Sequence, residues 1–280
     1  MKWRGRRRST NVEDRRGMRV GKAGGIGIGT IILALVAMYF GVDPRLVMDV
    51  GSQLGGGQIA TQQADYQPTE ADREKGEFVA VVLADTEDVW NQEFQKYGKR
   101  YAEPKLVLFS GAVQSACGMA QAAVGPFYCP GDHKVYIDLV FYDELQRRFK
   151  APGDLAQAYV IAHEVGHHVQ NLLGYTKQVP RGSKGADSAA VRLELQADCF
   201  AGIWVNHTQK AKNFLQSGDL DEALNAASAI GDDRMQRQAT GTVRPDGFTH
   251  GTSAQRQRWF RKGVNNGRLE DCDTFRATTL

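Results

Sequence analysis

Cysteine is scarce: four occur in 280 residues, and no two of them form a C-x-x-C pair, which removes the zinc ribbon from consideration. Histidine numbers only six and proline eight. There is no internal repeat. Excess charge is almost absent too, +3 from 35 Lys+Arg and 32 Asp+Glu, with 42% apolar residues. These figures exclude collagen, coiled coil, disulfide miniprotein and wholesale disorder, and leave a chain long enough for a proper core.

The averages conceal an uneven distribution. Residues 1–22 hold nine basic groups and two acids, a local +7, while the remaining 258 residues carry −4. Between them Ala23 to Val42, AGGIGIGTIILALVAMYFGV, has no charged residue. Twenty helical residues span about 30 Å, the thickness of a bilayer core. The run exceeds a usual signal-peptide h-region, and no small-x-small cleavage site precedes Asp43-Pro44. The expectation is a basic cytoplasmic tail (1–22), a transmembrane signal anchor (23–42) and a flexible linker (43–69), Gly- and Gln-rich from residue 51. The chain would cross the inner (cytoplasmic) membrane once, with the bilayer as partner, its N-terminus cytoplasmic and residues 43 onward extracytoplasmic.

Other readings of this region are weaker. The basic cluster beside an apolar run points to topology rather than nucleic-acid binding. Arg15-Arg16 lacks the following sequence of a twin-arginine signal. Gly25 and Gly27 start a G-x-G-x-x-G string whose third position is Thr30, so dinucleotide binding fails. Gly21, Gly25 and Gly29, four apart, could pair two membrane helices in a homodimer.

From Glu70 the composition is globular, and residues 70–280 read as one α+β domain, mostly helical with a small sheet. Glu70–Tyr97 is expected to be helical through Phe78, Val82, Val89, Trp90 and Phe94. Lys105–Ser110 and Lys134–Leu139 read as strands, and further helices are expected near 154–173, 187–216, 220–230 and 253–264. Cys117 and Cys129 flank a turn-rich stretch and could pair, leaving Cys199 for Cys272; sequence alone permits three pairings.

The chemical centre is His163-Glu164-Val165-Gly166-His167-His168, inside a helical pattern started by Asp154 and stopped at Gly174. His163 and His167 stand one turn apart on one face, the spacing for two imidazoles on one Zn²⁺. Glu164 is offset by about 100°, beside a metal rather than on it, where a carboxylate can take a proton from water. Val160, Ile161, Val165 and Val169 make the helix a buried one, in which unpaired His and Glu would be costly.

A hydrolytic zinc needs a third protein ligand. The longer H-E-x-x-H-x-x-G-x-x-H pattern fails at Gln170 and Leu173. Leu193-Glu194-Leu195-Gln196-Ala197-Asp198 supplies the alternative: Glu194 as ligand and Asp198, one turn on, to orient a ligand imidazole. A salt-bridged face using Arg192 is less attractive beside Leu195, Phe200 and Trp204.

HEVGHH followed by ELQAD resembles the Glu-zincin metallopeptidases. With the opening MKWRGRRRSTNVEDRRG, ACGMAQAAVGPFYCPGDHKVYIDL, HGTSAQRQRWF and CDTF, nearly the whole chain is similar to the bacterial neutral zinc metallopeptidase family. The resemblance implies a zincin-like domain after one transmembrane helix, a Zn²⁺ cofactor and peptidase activity on a peptide or protein substrate. It implies that Lys134–Leu139 is the edge strand on which substrate pairs. It also implies that His250, in Thr249-His250-Gly251-Thr252-Ser253, donates to the reaction's oxyanion; the plainer reading is a helix entry capped by Thr252 or Ser253. The expected chemistry is amide hydrolysis by metal-activated water with Glu164 as base. A zinc-binding scaffold or partner-binding membrane protein with little turnover, and a hydrolase of a non-peptide amide such as a cell-wall component, are the alternatives.

Overall fold

The computed structural model describes residues 1–20, 61–63, 67–121 and 125–280. The expected anchor (23–42), its glycines Gly21, Gly25 and Gly29, and most of the linker lie outside the described residues. Among those described, no helix is long and apolar enough to cross a membrane.

A four-stranded sheet forms the floor of the fold, in the order β1 (Val12–Asp14), β4 (Lys105–Phe109), β8 (Lys134–Asp138), β7 (Phe127–Cys129). The first three strands are parallel, and β7 runs antiparallel to β8. Strand alternation decides what each face buries. Leu106, Leu108, Val135 and Ile137 join the main core, while Val107, Phe109 and Tyr136 form a second cluster with Val113 and Cys129. Val113 belongs to the hairpin β5 (Ala112–Ser115) and β6 (Gly118–Gln121). A further ribbon pairs β2 (Met18–Val20) with β3 (Thr61–Gln63), antiparallel.

Seven helices among the described residues supply the rest: α1 (Glu70–Lys96), α2 (Val140–Arg147), α3 (Asp154–Leu173), α4 (Ala189–Lys212), α5 (Asp219–Ala229), α6 (Asp232–Thr240) and α7 (Ser253–Asn266). Thr69 and Thr252 open α1 and α7 with capping boxes, through Asp72 and Gln255. α3 ends at Gly174 in the left-handed region. Its N-cap is Gly153 rather than Asp154, which is the first helical residue. The class is α+β, as expected. The sequence reading misses α2, α6, the hairpin, β1 to β3 and β7, all of them short elements.

Two close approaches bring the site helices together. A Cβ at Gly166 on α3 would stand 3.0 Å from the Ala197 carbonyl oxygen of α4. A Cβ at Gly263 on α7 would stand 2.0 Å from the Cys199 carbonyl oxygen of α4. Glycine is therefore needed where α3 and α7 cross α4, and any side chain there would push the helices apart. Cys199–Cys272 ties α4 to the C-terminal segment, and Cys117–Cys129 closes the hairpin onto β7.

Two expectations change. β8 is not an edge strand: it lies between β4 and β7, and the outer strands of this sheet are β1 and β7, of three residues each. The basic N-terminal segment is not a detached tail. β1 enters the sheet beside β4, and Met1 and Trp3 are core residues at 7% and 5% exposure. Trp3 stacks edge-on against Phe78 with ring centres 5.4 Å apart. Lys2 N–H donates to the Phe214 carbonyl (2.8 Å) and Ser9 N–H to that of Ala80 (2.9 Å). The arginines are consumed by acids of α1. Arg4 pairs with Glu74, Arg6 with Asp85 (2.6 Å), Arg7 with Glu87 (3.0 Å) and Asp88 (2.6 Å), and Arg8 with Glu77. Much of the segment's positive charge therefore faces acids of the body across one shared interface.

Candidate active site

α3 and α4 pack face to face and bring together the residues that the sequence singles out. His163 Nε2 lies 3.2 Å from one Glu194 carboxylate oxygen, and His167 Nε2 lies 3.4 Å from the other. Donor atoms of these three residues all lie within 4.8 Å of one another. Ligands about 2.0–2.1 Å from a tetrahedral zinc stand about 3.3 Å apart, so the spacing fits that ion.

The remaining ring nitrogens are held from behind. His163 Nδ1 is 2.9 Å from Asp198 Oδ1, and His167 Nδ1 is 2.9 Å from Gln170 Oε1. Each acceptor selects the tautomer whose Nε2 lone pair faces Glu194. Gln170 is itself fixed, since its amide donates to the Leu193 carbonyl (2.6 Å) and to Gln196 Oε1 (3.1 Å) across the helix pair.

Asp198 is wholly buried and has four donors around it. Besides His163, the Tyr159 hydroxyl donates to Oδ1, and Arg256 of α7 donates from Nε to Oδ2 and from Nη2 to Oδ1, both at 2.9 Å. Arg256 is 1% exposed. Burial by itself would protonate Asp198, yet Arg256 and His163 hold its carboxyl below the usual value. Burial likewise opposes a charge on His163, but Asp198 and Glu194 outweigh it and raise the imidazole to about 9. A metal there has to displace a proton. Glu194 is driven well below the ordinary carboxylate range: burial raises it, and His167, His250 and His163 more than reverse that.

Glu164 follows His163 on α3 and is 8% exposed. His250 sits in the turn before α7. The backbone N–H groups of Thr249, His250 and Gly251 all converge on Asp232 Oδ2 at 2.6–3.0 Å. Its imidazole is half exposed, 3.4 Å from Asp232 Oδ1, and the field of Glu194 is the largest influence raising its pKa. The turn thus faces the cradle, and Thr252 caps α7 as well. His168 faces away: it is buried, with Nε2 2.6 Å from the Ala102 carbonyl and Nδ1 3.0 Å from the Tyr128 hydroxyl. Burial lowers its pKa to about 4. Arg192 forms no pair with Glu194; its guanidinium donates to the Thr274 and Ala277 carbonyls. His207 is half-buried and bridges Glu93 and the Gly267 carbonyl.

Residues 1–275 match the family described as "putative neutral zinc metallopeptidase". The chain belongs to that family. A relative from Escherichia coli K12, "Uncharacterized protein YpfJ", is 48% identical over 98% of this chain and 99% of its own length. "Uncharacterized protein Mb2605" of Mycobacterium bovis is 46% identical over 64% of this chain and 65% of its own. No solved structure matches. A zinc metallopeptidase family accords with the donor set on the α3/α4 face. The family match begins at residue 1, so its similarity extends through the N-terminal segment as well as the helix pair.

For this member of the family, sequence reasoning misses Tyr159, Gln170 and Arg256. Gln170 was within reach, three residues beyond His167 on the same helix face. Arg256 carried no such signal, because it stands 58 residues from Asp198 in a run, QRQR, that reads as solvated surface.

Proposed function

We propose that the protein is a Glu-zincin-type peptidase that hydrolyses peptide bonds on a zinc held by His163, His167 and Glu194. The observation that carries this reading is the pair of Nε2 atoms turned onto one carboxylate, each imidazole fixed through its other nitrogen. Zinc, when bound, supplies Lewis acidity toward the scissile carbonyl and makes water acidic enough to attack at neutral pH. The chain's own groups do the rest. Glu164 accepts the proton of the attacking water and returns it to the leaving nitrogen, work that contributes about 10²–10⁴-fold in rate. His250, whose pKa the nearby Glu194 carboxylate raises, donates to the oxygen that gains charge at the carbonyl. Asp198, Tyr159 and Arg256 keep His163 from turning. A substrate strand adds to the free edge of β7, in place of the inner strand β8.

Glu164→Gln tests the reading. Zinc stoichiometry of the full chain should be unchanged while cleavage of a peptide library falls by about 10²–10⁴-fold. Unimpaired cleavage would falsify Glu164 as base. Cleavage of wall fragments but of no peptide would assign the same centre to another amide, and bound zinc with no turnover of either would make it a scaffold.

A further inference from the structure

The charged N-terminal segment and the body belong to one folded unit, and this bears on how the chain meets a membrane. β1 pairs in register with β4, Val12 opposite Leu106 and Asp14 opposite Leu108. The ladder is extended by Leu106 N–H donating to the Asn11 carbonyl (2.9 Å) and Arg15 N–H donating to the Leu108 carbonyl (2.7 Å). The Asn11 amide bridges Glu87 of α1 and Glu103 (2.9 and 2.8 Å), and Lys134 of β8 reaches Glu13 (2.9 Å). A second ladder closes further along: Met18 opposes Gln63 and Val20 opposes Thr61. Val20 and Thr61 therefore stand opposite each other on neighbouring strands, about 5 Å apart.

We infer that residues 1–20 and 61–280 lie on the same side of any membrane the protein meets, so that the apolar run 23–42 does not act as a one-way crossing. One crossing between residues 20 and 61 would put about 30 Å of hydrocarbon between β1 and β4, and between β2 and β3, and no sheet ladder spans that distance. The arginines that would mark residues 1–22 as cytoplasmic have another use here. Arg4, Arg6, Arg7 and Arg8 pair with Glu74, Glu77, Asp85, Glu87 and Asp88 of α1, and Arg6–Asp85 is a largely buried pair. Charge that orients a membrane segment stays solvated near the lipid; most of this charge is bound to protein.

Thiol accessibility decides the matter. All four cysteines are in disulfides, so an added cysteine is the free thiol of the chain. Arg4→Cys and Arg8→Cys report on the N-terminal segment, and Arg276→Cys reports on the body; the three side chains are 75%, 60% and 90% exposed. Full-length variants in bacterial spheroplasts are treated with a membrane-impermeant maleimide before and after lysis, and circular dichroism verifies folding of each. The expected result is that all three label to the same extent, within about twofold, in intact spheroplasts. The two disulfides favour an oxidising compartment and hence labelling of all three before lysis; protection of all three until lysis supports the inference equally. Protection of positions 4 and 8 with labelling of 276, or the reverse, overturns it and restores the single crossing.

Discussion

The α3/α4 cradle and the N-terminal segment both rest on ion pairs, but they use charge in opposite ways. In the cradle a few groups are withdrawn almost completely from water and each is saturated: Asp198 alone takes bonds from His163, Tyr159 and Arg256. In the segment many arginines meet many acids, with the side chains of Arg4, Arg7 and Arg8 about half exposed or more. Exposed pairs contribute about 0–1 kcal/mol each, whereas breaking one partner of a buried pair costs about 3–5 kcal/mol. The cradle is thus sensitive to single changes. The segment relies on Trp3, β1 and the sum of weak pairs.

The comparison is tested most severely at Glu194. Glu194→Ala removes one of three donors and leaves two imidazoles facing empty volume, so zinc should be lost on desalting; retention of stoichiometric metal would place the ligand elsewhere. Next comes the apolar anchor of the segment. Trp3→Ala deletes a buried ring and should cost about 3–5 kcal/mol, which lowers the body's Tm by about 10 °C at the slope usual for a domain of this size. An unchanged Tm would show that the segment is not part of the fold. Asp198→Asn keeps the shape but weakens the hold on His163, and zinc affinity measured against a chelator should drop about 10–100-fold. A smaller effect is expected at Arg8, where Arg8→Ala should change stability by less than about 1 kcal/mol.

Acid should separate the two regions again. Burial favours the neutral acid at Glu13, but Lys134 and Arg15 prevail and hold its carboxyl down at about 2, against an ordinary value of 4.5. A lowered carboxylate stabilises above its unfolded pKa, so this contribution is whole above about 4.5 and disappears as pH falls toward 2. His168, kept neutral by burial at about 4 against 6.5, also stabilises at higher pH. Its share is lost earlier, as pH falls from about 6.5 to 4. Hydrogen exchange of peptides covering residues 12–16 and 163–173, corrected for intrinsic rates, should show the two windows. Coincident loss in both regions, with Glu13→Gln making no difference, would remove the distinction.

The cradle was legible because its chemistry is local. A helix puts i and i+4 on one face, so His163/His167 and Glu194/Asp198 are read two at a time along a continuous stretch. The same local reading gave no strand within residues 1–22. Nine basic groups beside an apolar run satisfy a topology rule, and nothing in NVEDRRG alternates strongly enough to announce a strand. What makes Val12–Asp14 a strand is β4, more than ninety residues away. Lys134–Asp138 was legible as a strand through Val135 and Ile137. Its position inside the sheet was not, because the outer strand is the three-residue β7.

By itself the sequence determined the identity of the donors, their pairing on two helices, the helix ends at Gly174 and Thr252, and a body rich in helix. Tertiary structure alone decided that α4 lies against α3 through Gly166, that Arg256 crosses from α7 to hold Asp198, and that the N-terminal strand closes the sheet. The physical reason is one of range. Helical periodicity and capping act within a turn and are written in neighbouring residues, whereas sheet neighbours, buried ion pairs and helix crossings join residues whose separation along the chain carries no period at all.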